Sequence, residues 1–458
     1  MSATPATAST RRGAAERRGA ATSRGAVILL YNRPTCPWFE DAATVDEHIA
    51  AYARYSRFRV WEINTDLGFP RGLVELPVAA VVLHYSLFHT TGYKLDAGLR
   101  RFLAETDAYK VAFFQDEHHF CRQRFAFLND YGFDCVFTCL EEAEFDKVYR
   151  RYTDVPTLVS NYPGYASEEM VSAAERFALP ESERWIDIGY RGRSLPPYNG
   201  RAAQEKAKIA TGFAAAAADS GLVLDLSARE GERFYGEDWS RFMGSCKGTL
   251  GVESGTSVFD LEDRAYAEYA RRIRAGQPVS IESLERGPQG ELEGKVYYRT
   301  ISPRHFEAAA FGICQILFEG HYSGVMQPMV HYIPLKKDFS NAREAIERFK
   351  DLALRRQLTA NAHRDLIASG RYSYATLIAK LDDVFVRAGL QPGLSEVEAT
   401  KVARALTAGE RGRRARTRVR WEALRVGLGI GRRIARLWRR LRPGSRRRRI
   451  DELAEGAW

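Results

Sequence analysis

KVAFFQDEHHFCRQRFAFLNDYGFDCVFTCL (110–140) holds one complete β-α-β unit. The apolar run KVAFFQD (110–116) leads into HFCRQRFAFLNDYG (119–132), whose apolar residues recur at helical spacing, and then into a second apolar run, CVFTCL (135–140). Neither run alternates, which is the mark of strands covered on both faces. Upstream, VILLYN (27–32), RFRVWEI (57–63) and AAVVLHY (79–85) read the same way, separated by DAATVDEHIAAYARY (41–55) and KLDAGLRRFLAETD (94–107). A parallel sheet of about 150 residues follows from this alternation. Downstream, WIDIGYRG (185–192), LVLDLS (222–227), GTLGVES (248–254), ICQILF (313–318) and HYIPL (331–335) predict a second sheet, with helices over 200–219 and 237–244. From about 341 to 388 the pattern is purely helical, and LQPGLSE (390–396) reads as a linker.

The predicted fold class is therefore α/β, with two doubly wound Rossmann-like domains, C-terminal helices and a basic amphipathic tail. The expected divisions are a disordered N-terminal tail (1–25), an N-terminal domain (26–180), a C-terminal domain (181–350), closing helices (351–390), and a linker with the basic tail (391–458). In such folds the functional cleft lies between the domains, at the carboxyl ends of both sheets. No strand is followed by G-x-G-x-x-G, so a dinucleotide cofactor is not indicated.

The charge is unevenly spread. Net charge is +10 over 458 residues, yet residues 1–24 carry +4 and residues 411–458 carry +13, leaving −7 for the body. An acidic body argues against a nucleic-acid-binding core. Cys36, Cys121, Cys135, Cys139, Cys246 and Cys314 include no C-x-x-C pair and read as buried small apolar groups in a reducing compartment. Arginine outnumbers lysine 56 to 12, a composition that suggests a GC-rich bacterium. No run of about 18 uncharged apolar residues is present to span a bilayer.

ISPRHFEAAAFGICQILFEGHYSG (301–324) carries the chemistry. Ser302 predicts an N-cap, Pro303 the first helical position, and Gly312 the stop before a buried strand. Free N–H groups at such a helix start suit a phosphate or diphosphate. Glu307 shares a face with Arg304 by i, i+3 spacing, and its two carboxylate oxygens could accept both hydroxyls of a ribose. The same residues also suit a capped surface helix with one ion pair.

The run S-P-R-x-F-E-A-A-A-x-G, followed by FEGHYSG and HYIPLKKDFSN (331–341), resembles the C-terminal domain of GT-B glycosyltransferases. The resemblance points to the bacterial group related to spore-maturation glycosyltransferase-like proteins. GYRGR (189–193), RFYGEDW (233–239) and LGVESGTSVFD (250–260) extend it, so that it covers roughly residues 26–388. It implies transfer of a sugar, hexosyl-like, from a nucleotide-diphosphate donor held mainly by the second domain. The nucleotide sugar is then a co-substrate, and no cofactor and no metal is expected. By this matching Glu307 binds the donor ribose, Arg191 or Arg193 meets the diphosphate, and Lys206 or Lys247 adds a second cation. Ser302, Arg304 and His305 complete the predicted donor set. Many retaining members carry a second glutamate eight positions before the first; Arg299 stands there in this chain, so a retaining course is not assigned.

Independently of that resemblance, GVESGTSVFD reads as a strand end, a small-residue loop and a helix. Glu253 would then point into the cleft, and Ser254 and Gly255 would let a ligand approach the backbone. A tight strand-to-helix turn with a surface glutamate is the alternative. In the first domain, strand ends carry His84 and the run Asp116, Glu117, His118, His119. His84, Asp116 and Glu117 are the candidates for a general base toward an acceptor hydroxyl. Four consecutive residues cannot all face one ion without a special turn, and no convincing D-x-D appears.

Wrapped as a helix, residues 417–441 gather Arg418, Arg425, Arg432, Arg433, Arg436, Arg439 and Arg440 on about a third of the circumference, with Val, Leu, Ile and Trp438 on the rest. Such a segment suits an anionic membrane surface. The expected protein is a cytoplasmic enzyme, peripheral on the inner face of the cell membrane. Its expected acceptor is a cell-envelope glycan, glycolipid or protein. The alternatives are a nucleotide-sugar epimerase or hydrolase of the same shape, or a degenerate membrane-bound scaffold.

Overall fold

The computed structural model describes residues 24–36, 43–89 and 92–441, with side chains to residue 427. Most of the N-terminal tail, the last residues of the basic tail and the side chains of Arg432 through Arg440 lie outside the described residues.

The first sheet is six-stranded and parallel. Across it run Val60–Asn64, Ala26–Tyr31, Val78–Leu83, Tyr109–Phe113, Cys135–Thr138 and Thr157–Ser160. Residues of Ala26–Tyr31 alternate between two cores, because successive side chains leave a strand on opposite faces. Val27 and Leu29 pack with Val111, Phe137, Leu377, Leu381 and Phe385. Ile28 and Leu30 pack with Leu99, Leu103, Phe125 and Leu128. Both faces are covered, which is why the sequence shows runs instead of alternation.

The second sheet is also parallel, in the order Leu224–Ser227, Ile186–Arg191, Cys246–Gly251, Cys314–Phe318, Ile333–Leu335. Helices Glu205–Ala216, Ala342–Lys350 and Leu352–Ala362 cover one face. Helices Gly236–Gly244 and Pro303–Ala310 lie on the other. Two doubly wound parallel sheets are followed by C-terminal helices, the fold class that the sequence predicts.

Three features depart from the sequence reading. Thr157–Ser160 adds an edge strand that its short sequence, TLVS, does not announce. Residues after Glu253 form a strand, Ser254–Val258, paired antiparallel with Glu293–Thr300, in place of the expected loop and helix. This ribbon leaves the second sheet and packs Phe259, Val296 and Tyr298 into the first domain's core. The helix Tyr374–Arg387 likewise returns to the first domain, where buried Asp382 accepts from Ser56 Oγ at 2.6 Å and Arg57 N at 2.7 Å. The first domain is thus completed by residues from the second half of the chain.

Candidate active site at the domain junction

The ribbon and the 116–120 loop strap the domains together. Asp260 N–H donates to His118 O at 2.7 Å, and Glu117 N–H donates to Tyr298 Oη at 3.3 Å. His118 Nε2 meets Asn199 Oδ1 at 2.8 Å. Cys121 N–H donates to Asp263 Oδ1 at 2.8 Å. The carboxyl ends of the two sheets therefore face one junction.

On the second domain's side lies a recess lined by Tyr190, Lys206, Trp239, Gly251, Ser302 and Arg304 among others. Ser302 caps the helix Pro303–Ala310 by accepting from Arg304 N. Gly312, at φ +61°, ends the turn after it, as the sequence predicts. Glu307 is half-buried beside Arg304 and accepts a hydrogen bond from the Trp239 indole. Burial pushes its carboxyl up, and Arg304 and Trp239 oppose that. Arg304 also lies over the Trp239 ring at 5.8 Å.

Lys206 is the centre of the electrostatics. Burial, followed by Arg304, Arg193 and Arg299, holds its ammonium down at about 8, while Asp116 from the first domain acts the other way. Neither Lys206 nor Arg304 forms an ion pair with a carboxylate among the described residues. Cations held together with no ion-paired carboxylate favour an anion.

Other predicted residues lie in different settings. Arg191 lines the recess, but it is bidentate to Asp225 at 2.8 and 2.9 Å and sandwiched between the Phe234 and Phe242 rings. His305 is buried, with Nδ1 at 2.9 Å from Gln315 Oε1 and Nε2 at 3.3 Å from Val252 O, so its ring ties helix to strand. Burial lowers its pKa to about 4 and keeps it neutral. Lys247 is placed away from the recess: it is the second residue of the strand Cys246–Gly251, at the opposite end of the sheet, paired with Asp187 at 2.8 Å. Glu253 is buried and accepts from His321 N, Tyr322 N and Tyr297 Oη at 2.8–3.1 Å. Ser254 and Gly255 belong to the ribbon. Gly255 has φ +90°, and a Cβ there would fall 2.0 Å from Tyr298 O, so the close approach is to the partner strand.

The three first-domain candidates also separate. His84 is fully buried, its Nδ1 at 2.8 Å from Ser86 Oγ, and burial beside His48 lowers its pKa. Glu117 is enclosed, accepting from Thr138 Oγ1 at 2.7 Å, Cys139 N at 2.8 Å and the Tyr149 phenol. Such a carboxylate holds the loop from beneath. Asp116 is exposed, at φ +53°, within electrostatic reach of Lys206. Among the three, Asp116 alone is exposed.

No protein-family model matches the chain, and no curated protein does either. Solved structures do resemble it. Sucrose-phosphate synthase from Thermosynechococcus elongatus is 10% identical over 80% of this chain and 99% of that one, with a TM-score of 0.42. Anabaena HepE in complex with UDP is 9% identical over 79% and 99%, with a TM-score of 0.41. TarM is 14% identical over 67% of this chain, at a TM-score of 0.35, and this chain spans only 54% of its length.

Sequence reasoning misses several residues of the junction. Trp239 lies within RFYGEDW, where local spacing marks no role for it. Arg299 proves to be a buried hub, 2.6 Å from Glu205 and 3.5 Å from Glu253, with Lys337 also on Glu205 at 2.8 Å. Its partners are far along the chain, so no local spacing marks them. Among the described residues no group of three or more His, Cys, Asp or Glu is arranged to hold a metal ion.

Proposed function

We propose that this chain is a glycosyltransferase that moves a sugar from a nucleotide-diphosphate donor to a cell-envelope glycan, lipid-linked or protein acceptor. The observation that carries the reading is the recess at the carboxyl edge of the second sheet. There, Lys206 and Arg304 stand without carboxylate partners beside Glu307 and a Ser302-capped helix start. A diphosphate supplies the missing negative charge, and the helix N–H groups add to its binding. As the glycosyl bond breaks, charge grows on the leaving diphosphate, so preset cations stabilise the transition state more than the ground state. Glu307 accepts hydroxyls of the nucleotide, and no metal is assigned a role. Asp116 is the first domain's general-base candidate, because it is exposed and within electrostatic reach of Lys206.

The acceptor belongs on the first domain, with closure of the junction excluding water. The basic C-terminal segment holds the enzyme at an anionic inner membrane surface. The test is acceptor-dependent turnover. Purified protein with a nucleotide sugar should release the free nucleotide rapidly only when a glycan or glycolipid acceptor is added. Release that ignores the acceptor would indicate a hydrolase, and conversion of the sugar without release an epimerase. Absence of nucleotide-sugar binding would leave a scaffold.

A further inference from the structure

The helix Cys121–Tyr131 starts without a cap of its own. Phe120 stands at its N-cap, at φ +56°, and a phenyl side chain cannot take up the first-turn N–H groups. The cap comes instead from the second half of the chain. Asp263 Oδ1 accepts from Cys121 N–H at 2.8 Å, and Asp263 Oδ2 accepts from Arg122 N–H at 3.3 Å. Asp263 does not cap the helix that follows it, Arg264–Arg274. That task falls to buried Asp260, whose carboxylate accepts from Arg264 N–H and Tyr266 N–H, both at 2.9 Å. Directly before the capped helix runs the turn 116–120, where Asp116 at φ +53° and Phe120 are both left-handed. Non-glycine residues keep such backbone only where their surroundings over-determine it. Here Asp260 N–H holds His118 O, Tyr298 Oη holds Glu117 N–H, and Arg124 donates to Glu117 O at 2.6 Å. Glu117, His118 and His119 are buried by these contacts, and Asp116 is exposed.

We infer that Asp263 is a positioning residue for Asp116: by capping the helix Cys121–Tyr131 across the chain, it fixes the strained turn that presents Asp116. This rests on the reading of Asp116 as the general base. A base must stand within hydrogen-bond reach of the hydroxyl it deprotonates, and a misplacement of about 1 Å costs up to about 100-fold in rate. Asp263 does not line the recess, so its loss acts on turnover and not on donor affinity.

A double-mutant cycle in the full chain tests this, with Asp263→Ala, Asp116→Asn and the two combined. Donor binding is read as the rise in melting temperature with millimolar UDP, GDP or ADP. Turnover is read as slow release of nucleotide from UDP-, GDP- or ADP-glucose with water as the acceptor, and hydrogen exchange reads the amides of 116–122. Asp263→Ala should lower kcat about 10- to 100-fold and speed that exchange, with donor KM and the melting shift kept. The combined variant should be no slower than Asp116→Asn alone. Asp263→Asn keeps an acceptor for Cys121 N–H and should restore most of kcat. Unchanged exchange in Asp263→Ala, or losses that add in the combined variant, overturns the inference while a retained melting shift leaves the donor site standing. A change in KM that Asp263→Asn does not rescue overturns it too, as damage to the fold alone. Wild-type turnover in Asp116→Asn removes the base and with it the inference. No melting shift with any nucleotide removes the donor site as well.

Discussion

Lys206 keeps a positive charge where burial and three arginines oppose it. Because its folded pKa of about 8 lies below the unfolded value, the unfolded chain binds more protons between about pH 8 and 10. Stability contributed by this group therefore rises with pH across that window, and below it the charge costs stability in full. Lys206→Met should raise the melting temperature of the ligand-free protein at pH 7 while weakening nucleoside-diphosphate affinity about tenfold or more. Melting curves and titration calorimetry read both, and a lowered melting point with unchanged affinity would contradict the assignment. Glu307→Ala should cost about 10- to 100-fold in donor affinity, the range for a hydrogen bond to a charged group. Glu307 is legible in the sequence because its cap, proline and partner Arg304 all lie within one turn. Arg299 is not legible as a hub, because Glu205 and Glu253 reach it only after the chain has folded.

At the level of elements, the strands are readable because burial on both faces writes itself as uninterrupted apolar runs. The ribbon is not. Ser254–Val258 reads SGTSV, small and polar, and it becomes a strand only by pairing with Glu293–Thr300 and packing on the other domain. Gly255→Ala should accordingly destabilise the protein by about 1–3 kcal/mol through backbone strain, with more from the contact with Tyr298 O. Denaturant unfolding measures this, and a neutral result would deny the pairing of Gly255 with Arg299. Arg299→Met removes the hub between Glu205 and Glu253 and leaves buried carboxylates facing one another. The expected loss is about 3–5 kcal/mol, as for a buried pair deprived of one partner.

Across the whole molecule, the helices from Tyr374 onward belong to the first domain. Val402 and Leu406 join its core, and the helix Glu410–Leu441 is anchored at its start on buried Asp66. That carboxylate accepts from the Trp421 indole at 3.0 Å and from Arg420, while Thr417 donates to the Asp66 carbonyl at 3.2 Å. Charge and periodicity alone present the tail as an independent amphipathic segment, and its docked first half is the part no composition could show. No helix among the described residues is long and apolar enough to cross a membrane. Val419, Leu424 and Val426 remain exposed amid the arginines, which fits contact with an anionic surface. Removing residues 411–458 should abolish flotation with vesicles containing anionic lipid. Asp66→Ala should leave flotation intact while speeding proteolysis within 396–427. Equal flotation of truncated and full chains would sink the membrane assignment.

The central claim is that the recess around Lys206, Arg304 and Glu307 takes a nucleoside diphosphate. The direct measurement is the melting temperature of wild type, Lys206→Met and Glu307→Ala with millimolar UDP, GDP or ADP, since a ligand selective for the native state must stabilise it. One nucleotide should raise the wild-type melting temperature and do so far less in both variants. If none raises it, or if the rise is the same in all three proteins, the recess is not the donor site.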